Sequence, residues 1–184
     1  MKNFRNVFLF IIFVVLLSGC SLIDDKPDAA MFEEDEYKIE RGEAIIIEVH
    51  SFSGEHLVIP DEIDGSPVKE IMSNAFSNYT QIEHITISSN VRIIGSEAFI
   101  NLENLETITF EKGRQLKTIG DGAFRGAESL TTVNIPSSVT SIGEDAFLGA
   151  SSLTIYTEHE EKPYGWQYNW NPDDLDVIWG YEQE

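Results

Sequence analysis

The sequence predicts a mainly β, α+β solenoid, a chain wound into stacked coils, on three observations. Four Ala-Phe pairs recur, Ala75-Phe76, Ala98-Phe99, Ala123-Phe124 and Ala146-Phe147, at spacings of 23, 25 and 23 residues. Ile71, Ile94, Ile119 and Ile142 stand five residues before each Phe. Ile82, Leu105, Leu130 and Leu153 stand six after. Apolar columns in phase at a period of roughly 20–29 residues mark units too small to bury a core alone, so that neighbours must stack.

Taken in order, the chain opens with Lys2 and Arg5 before an unbroken apolar run, Val7 to Leu17. Eleven residues suit a signal-peptide core; a bilayer-spanning helix needs about 20. Leu17-Ser18-Gly19-Cys20 then resembles the bacterial lipobox. The resemblance implies cleavage before Cys20, a diacylglyceryl group on its sulfur and a further acyl chain on its amine. The chemistry agrees. Ser18 and Gly19 fit a narrow peptidase cleft, a thiolate is the attacking nucleophile, and two or more acyl chains anchor stably where one is marginal. The competing reading is an ordinary secretory signal with an incidental cysteine. Cys20 is the one cysteine of 184 residues, so no intrachain disulfide forms and packing must supply the stability.

Residues 1–19 are therefore expected to be a lipoprotein signal peptide, and 20–36 a lipidated cysteine with an acidic tether. Asp24, Asp25, Asp28, Glu33, Glu34, Asp35 and Glu36 outweigh one Lys26, with Pro27 between. Such a segment cannot bury enough apolar surface to order itself, and self-repulsion extends it. No calcium-loop spacing with its turn glycine is present.

Residues 37–180 are the expected domain, about four to five coils with a divergent first repeat over 37–81. Ala44 to Val49 is β-branched and strand-forming, as is the short His56-Leu-Val-Ile59. Asp64-Gly65 marks a turn between them and the first Ala-Phe. Then Ile82-x-x-Ile85-x-Ile87 is matched by Leu105-x-x-Ile108-x-Phe110 and Leu130-x-x-Val133-x-Ile135. This is a leucine-rich-repeat strand pattern, with the last two apolar residues on one face. Asn90 and Ser138 take the following turn position, where a short polar side chain bonds freed backbone groups; Gly113 takes it in the long unit. Gly95, Gly120 and Gly143 follow the Ile column and are expected to permit a tight bend. Ser96-Glu-Ala-Phe, Asp121-Gly-Ala-Phe and Glu144-Asp-Ala-Phe read as short helical turns whose acidic start suits a helix amino end.

The run Ile135-Pro-Ser-Ser-Val-Thr-Ser-Ile-Gly-Glu-Asp-Ala-Phe147 resembles the BspA-like type of bacterial leucine-rich repeat. The resemblance covers roughly residues 44–180 and implies a short right-handed superhelix with parallel strands. Functionally it implies adhesion, or host and envelope contact. The family often carries Cys three residues after the Phe; Tyr79, Leu102, Ala127 and Ala150 stand there instead. They keep a packing role and remove the thiols. From Ile155 the pattern changes. Trp166, Trp170 and Trp179 within 155–180 are expected to form an aromatic C-terminal cap over the open end of the stack. A sugar-stacking platform is the alternative for the same rings.

Net charge is −20, from 12 basic and 32 acidic residues. Nucleic acid as a partner is excluded, because phosphates need a basic footprint, and so is a polybasic membrane patch. No catalytic, metal or cofactor site is expected. His50, His56, His84 and His159 are scattered without metal spacing, and neither a nucleophile elbow nor a phosphate-binding glycine loop occurs. Asp173, Asp174 and Asp176 read as a solvated loop, with a calcium site as the alternative.

The candidate binding residues lie between the apolar strand positions: Glu83, His84 and Thr86; Glu106, Thr107 and Thr109; Thr131, Thr132 and Asn134. Strand alternation aims many of them away from the core, and stacking at about 4.8 Å would make a continuous Thr/Glu face. The expected function is a lipid-anchored protein on the extracellular face of the cell membrane, presenting this face to a protein or glycan partner. The alternatives are a solute-binding lipoprotein and a glycan-acting enzyme, the latter needing two carboxylates about 5–10 Å apart.

Overall fold

The computed structural model describes residues 32–113 and 115–181. The leader, the lipobox and Cys20 lie outside the described residues. The strands are β1 (Tyr37–Glu40), β2 (Glu43–Ile46), β3 (His56–Ile59), β4 (Glu62–Ile63), β5 (Ser66–Ile71), β6 (His84–Ile87), β7 (Ile93–Ile94), β8 (Thr107–Phe110), β9 (Thr118–Ile119), β10 (Thr132–Ile135), β11 (Ser141–Ile142), β12 (Thr154–Thr157) and β13 (Asp176–Ile178).

Each coil contributes to two sheets. The longer strands form one six-stranded parallel sheet, ordered β3-β6-β8-β10-β12-β13. The strands ending on the Ile column, β5 and the two-residue β7, β9 and β11, form the second, ordered β5-β7-β9-β11 and parallel throughout. The antiparallel β1-β2 pair extends it at the amino end, where β2 runs parallel to β5. The fold is thus the predicted parallel solenoid.

One buried cluster joins the two sheets. Leu57, Ile85, Ile108, Val133 and Ile155 are successive rungs of the first sheet and all belong to the core. Phe76, Phe99, Phe124 and Phe147 are fully buried. Their rings stack nearly parallel, with centroids 5.3, 5.3 and 5.6 Å apart, in the offset range that aromatic pairs favour.

The Ala-Phe segments are not helical turns, and no helix occurs among the described residues. The reason is where their N–H groups go. Glu97, Phe99 and Asn101 donate to Asp121, Ala123 and Arg125 of the next coil at 2.7–2.9 Å. Between them, Ala98 and Ile100 donate three residues back, to Gly95 and Glu97. A helix would keep all of these bonds inside the segment; here alternate ones tie coil to coil. The alternation needs left-handed backbone four residues apart, found at Asn74 and Asn78, Glu97 and Asn101, Gly122 and Gly126, and Asp145 and Gly149. Apart from Glu97, these are the residue types that tolerate it.

The glycines after the Ile column also differ from expectation. Gly95, Gly120 and Gly143 have no left-handed backbone. They are small because the preceding coil lies against them. A Cβ on Gly95 or Gly120 would sit 2.5 Å from the backbone nitrogen of Ser73 or Ser96. Gly113 is crowded in the same way by Ser89 Cβ, at 2.5 Å. In the turn position, Asn90 does bond backbone, donating to the Asp61 carbonyl at 3.2 Å. The buried Ser138 hydroxyl has no hydrogen-bond partner among the described residues.

Both ends are closed. At the amino end the last residues assigned to the tether fold onto the domain. Phe32 packs edge-on against Phe76 at 6.3 Å, and Glu36 is buried, accepting from the backbone N–H groups of Glu33 and His50 at 3.0 and 2.6 Å. Satisfied in this way, a buried carboxylate is tolerated. Tyr79, at the family's cysteine position, donates to the Val49 carbonyl at 2.9 Å, and burial raises its phenol above the ordinary value. At the carboxyl end Trp166 and Trp170 are buried with ring centroids 4.7 Å apart, and Trp179 packs on Trp166 at 5.7 Å. The Trp166 indole donates to the Val139 carbonyl at 3.2 Å.

Candidate functional site

The parallel register of the first sheet decides which side chains become neighbours. One outward row reads His56, His84, Thr107, Thr132, Thr154 and Asp176. Two residues further along the strands runs a second, Val58, Thr86, Thr109, Asn134, Tyr156 and Ile178. Just ahead of the strands Glu55, Glu83 and Glu106 line up, with Glu83 N–H on the Glu55 carbonyl and Glu106 N–H on that of Glu83, both at 2.7 Å. Thr131 continues this line, its carbonyl accepting from Thr154 N–H at 2.9 Å.

All nine sequence-predicted residues fall in these rows, three to each, and none is buried. Sequence reasoning missed the ends of the rows. His56-Leu-Val-Ile59 has the same form as His84-Ile-Thr-Ile87 and pairs with it residue for residue; its place in a divergent repeat hid the match. Thr154, Tyr156, Asp176 and Ile178 extend the face past the last regular coil, where no repeat signal remains.

Hydrogen bonds along the rows pin part of the surface. His84 Nδ1 lies 2.9 Å from Thr107 Oγ1, and His56 Nε2 lies 3.2 Å from Thr86 Oγ1. The two imidazoles meet edge-on at 5.6 Å. They are adjacent, yet among the described residues no group of three His, Cys, Asp or Glu could hold a metal ion.

Near the far end the face is no longer flat. β6 and β8 pair over four residues, as do β10 and β12. β8 and β10 pair only at Thr107–Thr132 and Ile108–Val133. Beyond that point lies a groove of about 90 Å³, lined among others by Phe110, Asn134, Pro136, Tyr156, Glu158 and Tyr181. The Tyr156 and Tyr181 rings meet edge-on at 4.9 Å. Glu158 accepts from Ser137 through its N–H, at 3.1 Å, and through its hydroxyl.

The aromatic alternatives at the cap also separate. The tryptophans turn inward, while Tyr164 and Tyr168 are fully exposed.

A family model described as BspA type leucine-rich repeat region matches residues 41–160 in six copies. No curated protein matches the chain. Among solved structures, the leucine-rich repeat protein of T. pallidum is 28% identical with a TM-score of 0.62, over 78% of this chain and 61% of that one. The chain thus spans about three fifths of that relative's length. A leucine-rich repeat protein from Bacteroides capillosus is 23% identical with a TM-score of 0.53, over 66% of this chain and 91% of that one. A leucine-rich cell surface protein from Faecalibacterium prausnitzii is 21% identical with a TM-score of 0.54, over 84% of this chain and 56% of that one. At those identities the last two likenesses speak to the fold alone.

Proposed function

We propose, from the premise that the chain belongs to the BspA-type leucine-rich repeat family, that it is a lipid-anchored surface protein holding a protein or glycan partner on the open face of its six-stranded sheet. One observation carries this reading. One in-register row of six outward residues runs the length of the sheet, and a second runs beside it, interrupted between Thr109 and Asn134 where β8 and β10 part, with the line from Glu55 to Thr131 alongside. Repeat proteins bind through such extended faces, and leucine-rich-repeat solenoids serve as interaction scaffolds. Hydroxyls, imidazoles and carboxylates on a rigid sheet offer placed hydrogen bonds at little ordering cost.

The test keeps the strands and removes the chemistry. Thr107→Val, Thr131→Val and Thr132→Val together preserve β-branching, and so strand preference, while deleting three exposed hydroxyls. Thermal melting of the full chain should stay within about 0.5 kcal/mol per site, and capture of surface proteins or glycans should fall at least about tenfold. Unchanged capture counts against this face. For the anchor, Cys20→Ser should move the protein from the membrane fraction to the soluble one; a variant that still pellets with membranes would remove that part of the reading.

A further inference from the structure

The coils sort part of the chain's charge into two matched rows. Glu55, Glu83 and Glu106 stand one coil apart just ahead of the first sheet, and Thr131 continues their line. Lys69, Arg92 and Lys117 stand one coil apart along the second sheet, Lys69 within β5 and the others just ahead of β7 and β9. Thr140 continues that line. The rows lie on different sides of the coil, since Arg92 stands nine residues after Glu83 and fourteen before Glu106. In a chain of net charge −20 the second row is a local inversion of sign.

We propose that a second copy of the chain docks side by side with the first, its acidic row on the basic row of its neighbour and the two solenoid axes parallel. Spacing selects a copy over an unrelated acidic partner. Glu83 N–H donates to the Glu55 carbonyl and Glu106 N–H to that of Glu83, both at 2.7 Å. Arg92 N–H donates to the Lys69 carbonyl and Lys117 N–H to that of Arg92, both at 2.8 Å. Each row therefore climbs by one interstrand step, about 4.8 Å, per coil. A copy translated sideways brings three charge pairs into register at once and sets Thr131 opposite Thr140. A partner of another fold has no reason to share the step.

Neither row is neutralised from within. Among the described residues none of the three glutamates has an ion pair, nor has Lys69 or Lys117. Lys69 donates to the amide oxygens of Asn90 and Gln115 at 3.3 and 3.2 Å, which hold the ammonium without cancelling its charge. Arg92 meets Glu43 at 3.3 Å, but both side chains are about half exposed, so the pair is readily exchanged. The adjoining row, Glu70, Ile93 and Thr118, sets one carboxylate against three cations. Because the two rows are different patches, the contact is head-to-tail and does not close, and its repetition gives an open array. The net charge opposes approach at long range, but beyond about 10 Å that repulsion is screened. Three exposed pairs are weak in solution; a common membrane anchor of the kind proposed above raises the effective concentration.

The experiment is sedimentation of the full chain in non-ionic detergent over a concentration series. The wild type should self-associate. Glu55→Lys, Glu83→Lys and Glu106→Lys together make both rows positive; Lys69→Glu, Arg92→Glu and Lys117→Glu together make both negative. Each triple variant alone should associate at least about tenfold more weakly. Mixed in equal amounts, the two should recover to within about threefold of the wild type, since each finds opposite rows only in the other. The neutral set Lys69→Gln, Arg92→Gln and Lys117→Gln should show a loss of about tenfold at an unchanged melting temperature. A wild type that stays monomeric overturns the proposal; so do triple variants that associate as well as the wild type, or a mixture that stays apart. The triple Thr→Val variant keeps both charged triplets. Self-association with unchanged partner capture by that variant sinks the face and keeps the array; lost capture with a monomeric wild type does the reverse.

Discussion

Along the phenylalanine spine each coil repeats the one before, whereas the open face of the same coils passes from histidine through threonine to tyrosine. The spine is four stacked rings with near-identical separations. The face carries His56 and His84 at one end and Tyr156 beside Tyr181 at the other. The difference has a physical basis. A buried side chain must fit a cavity set by its neighbours above and below, so the stack imposes one solution on every coil. An outward side chain answers mainly to solvent and to strand preference, and is free to diverge. Sameness in this molecule therefore reports on stability, and departures from sameness report on the surface.

The largest expected effect breaks the spine. Phe124→Ala deletes a fully buried ring stacked on both sides, on Phe99 and on Phe147. It should cost about 3–5 kcal/mol in chemical denaturation, against less than about 0.5 kcal/mol for any one of the face Thr→Val changes. A cost near 1 kcal/mol would mean that the spine is looser than its geometry. Next comes the coil-to-coil approach. Gly120→Ala puts a methyl 2.5 Å from the Ser96 backbone nitrogen and should cost about 1–3 kcal/mol. A neutral result would restore the simpler idea that these glycines serve only to bend the chain. The smallest effect has the opposite sign. Glu97 holds a left-handed φ of 57° where the neighbouring coils place Asn74 and Gly122. Its ion pair with Arg125, at 3.1 Å, is about 40% exposed on both sides, so it offsets little. Glu97→Asn should raise stability by up to about 1 kcal/mol; a loss of stability would show that the ion pair outweighs the backbone strain.

Much of this architecture was legible in the chain. The Ile, Phe and Leu columns named the core, and the strand triples named the sheet that carries the face. The nine candidate residues came out in three rows, one of them broken between Thr109 and Asn134, because parallel pairing in register converts a sequence period into a spatial row. The Ala-Phe segments were misread as helical because a local pattern does not disclose that alternate N–H groups bond to the next coil. Asn78, Asn101, Gly126 and Gly149 were the available signal, one left-handed residue per coil at a fixed place. The reason for Gly120 was likewise hidden, since a close approach from the preceding coil leaves no mark in its own neighbourhood. The folded state of Phe32 and Glu36 was missed for a similar reason. An acidic composition argues for extension, yet the Glu36 carboxylate accepts from the N–H of Glu33 beside it and from that of His50 in the first coil.

What the sequence determined by itself was the repeat and its oily spine, because burial acts on every coil alike and leaves a period behind. What only the tertiary structure decided was the groove. Phe110, Asn134, Tyr156 and Tyr181 come from separate coils and from the closing segment, and each is unremarked where it stands in the chain. They meet because β8 and β10 pair for two residues and then part, and the point at which two strands separate depends on the lengths of both coils and on a proline in only one of them.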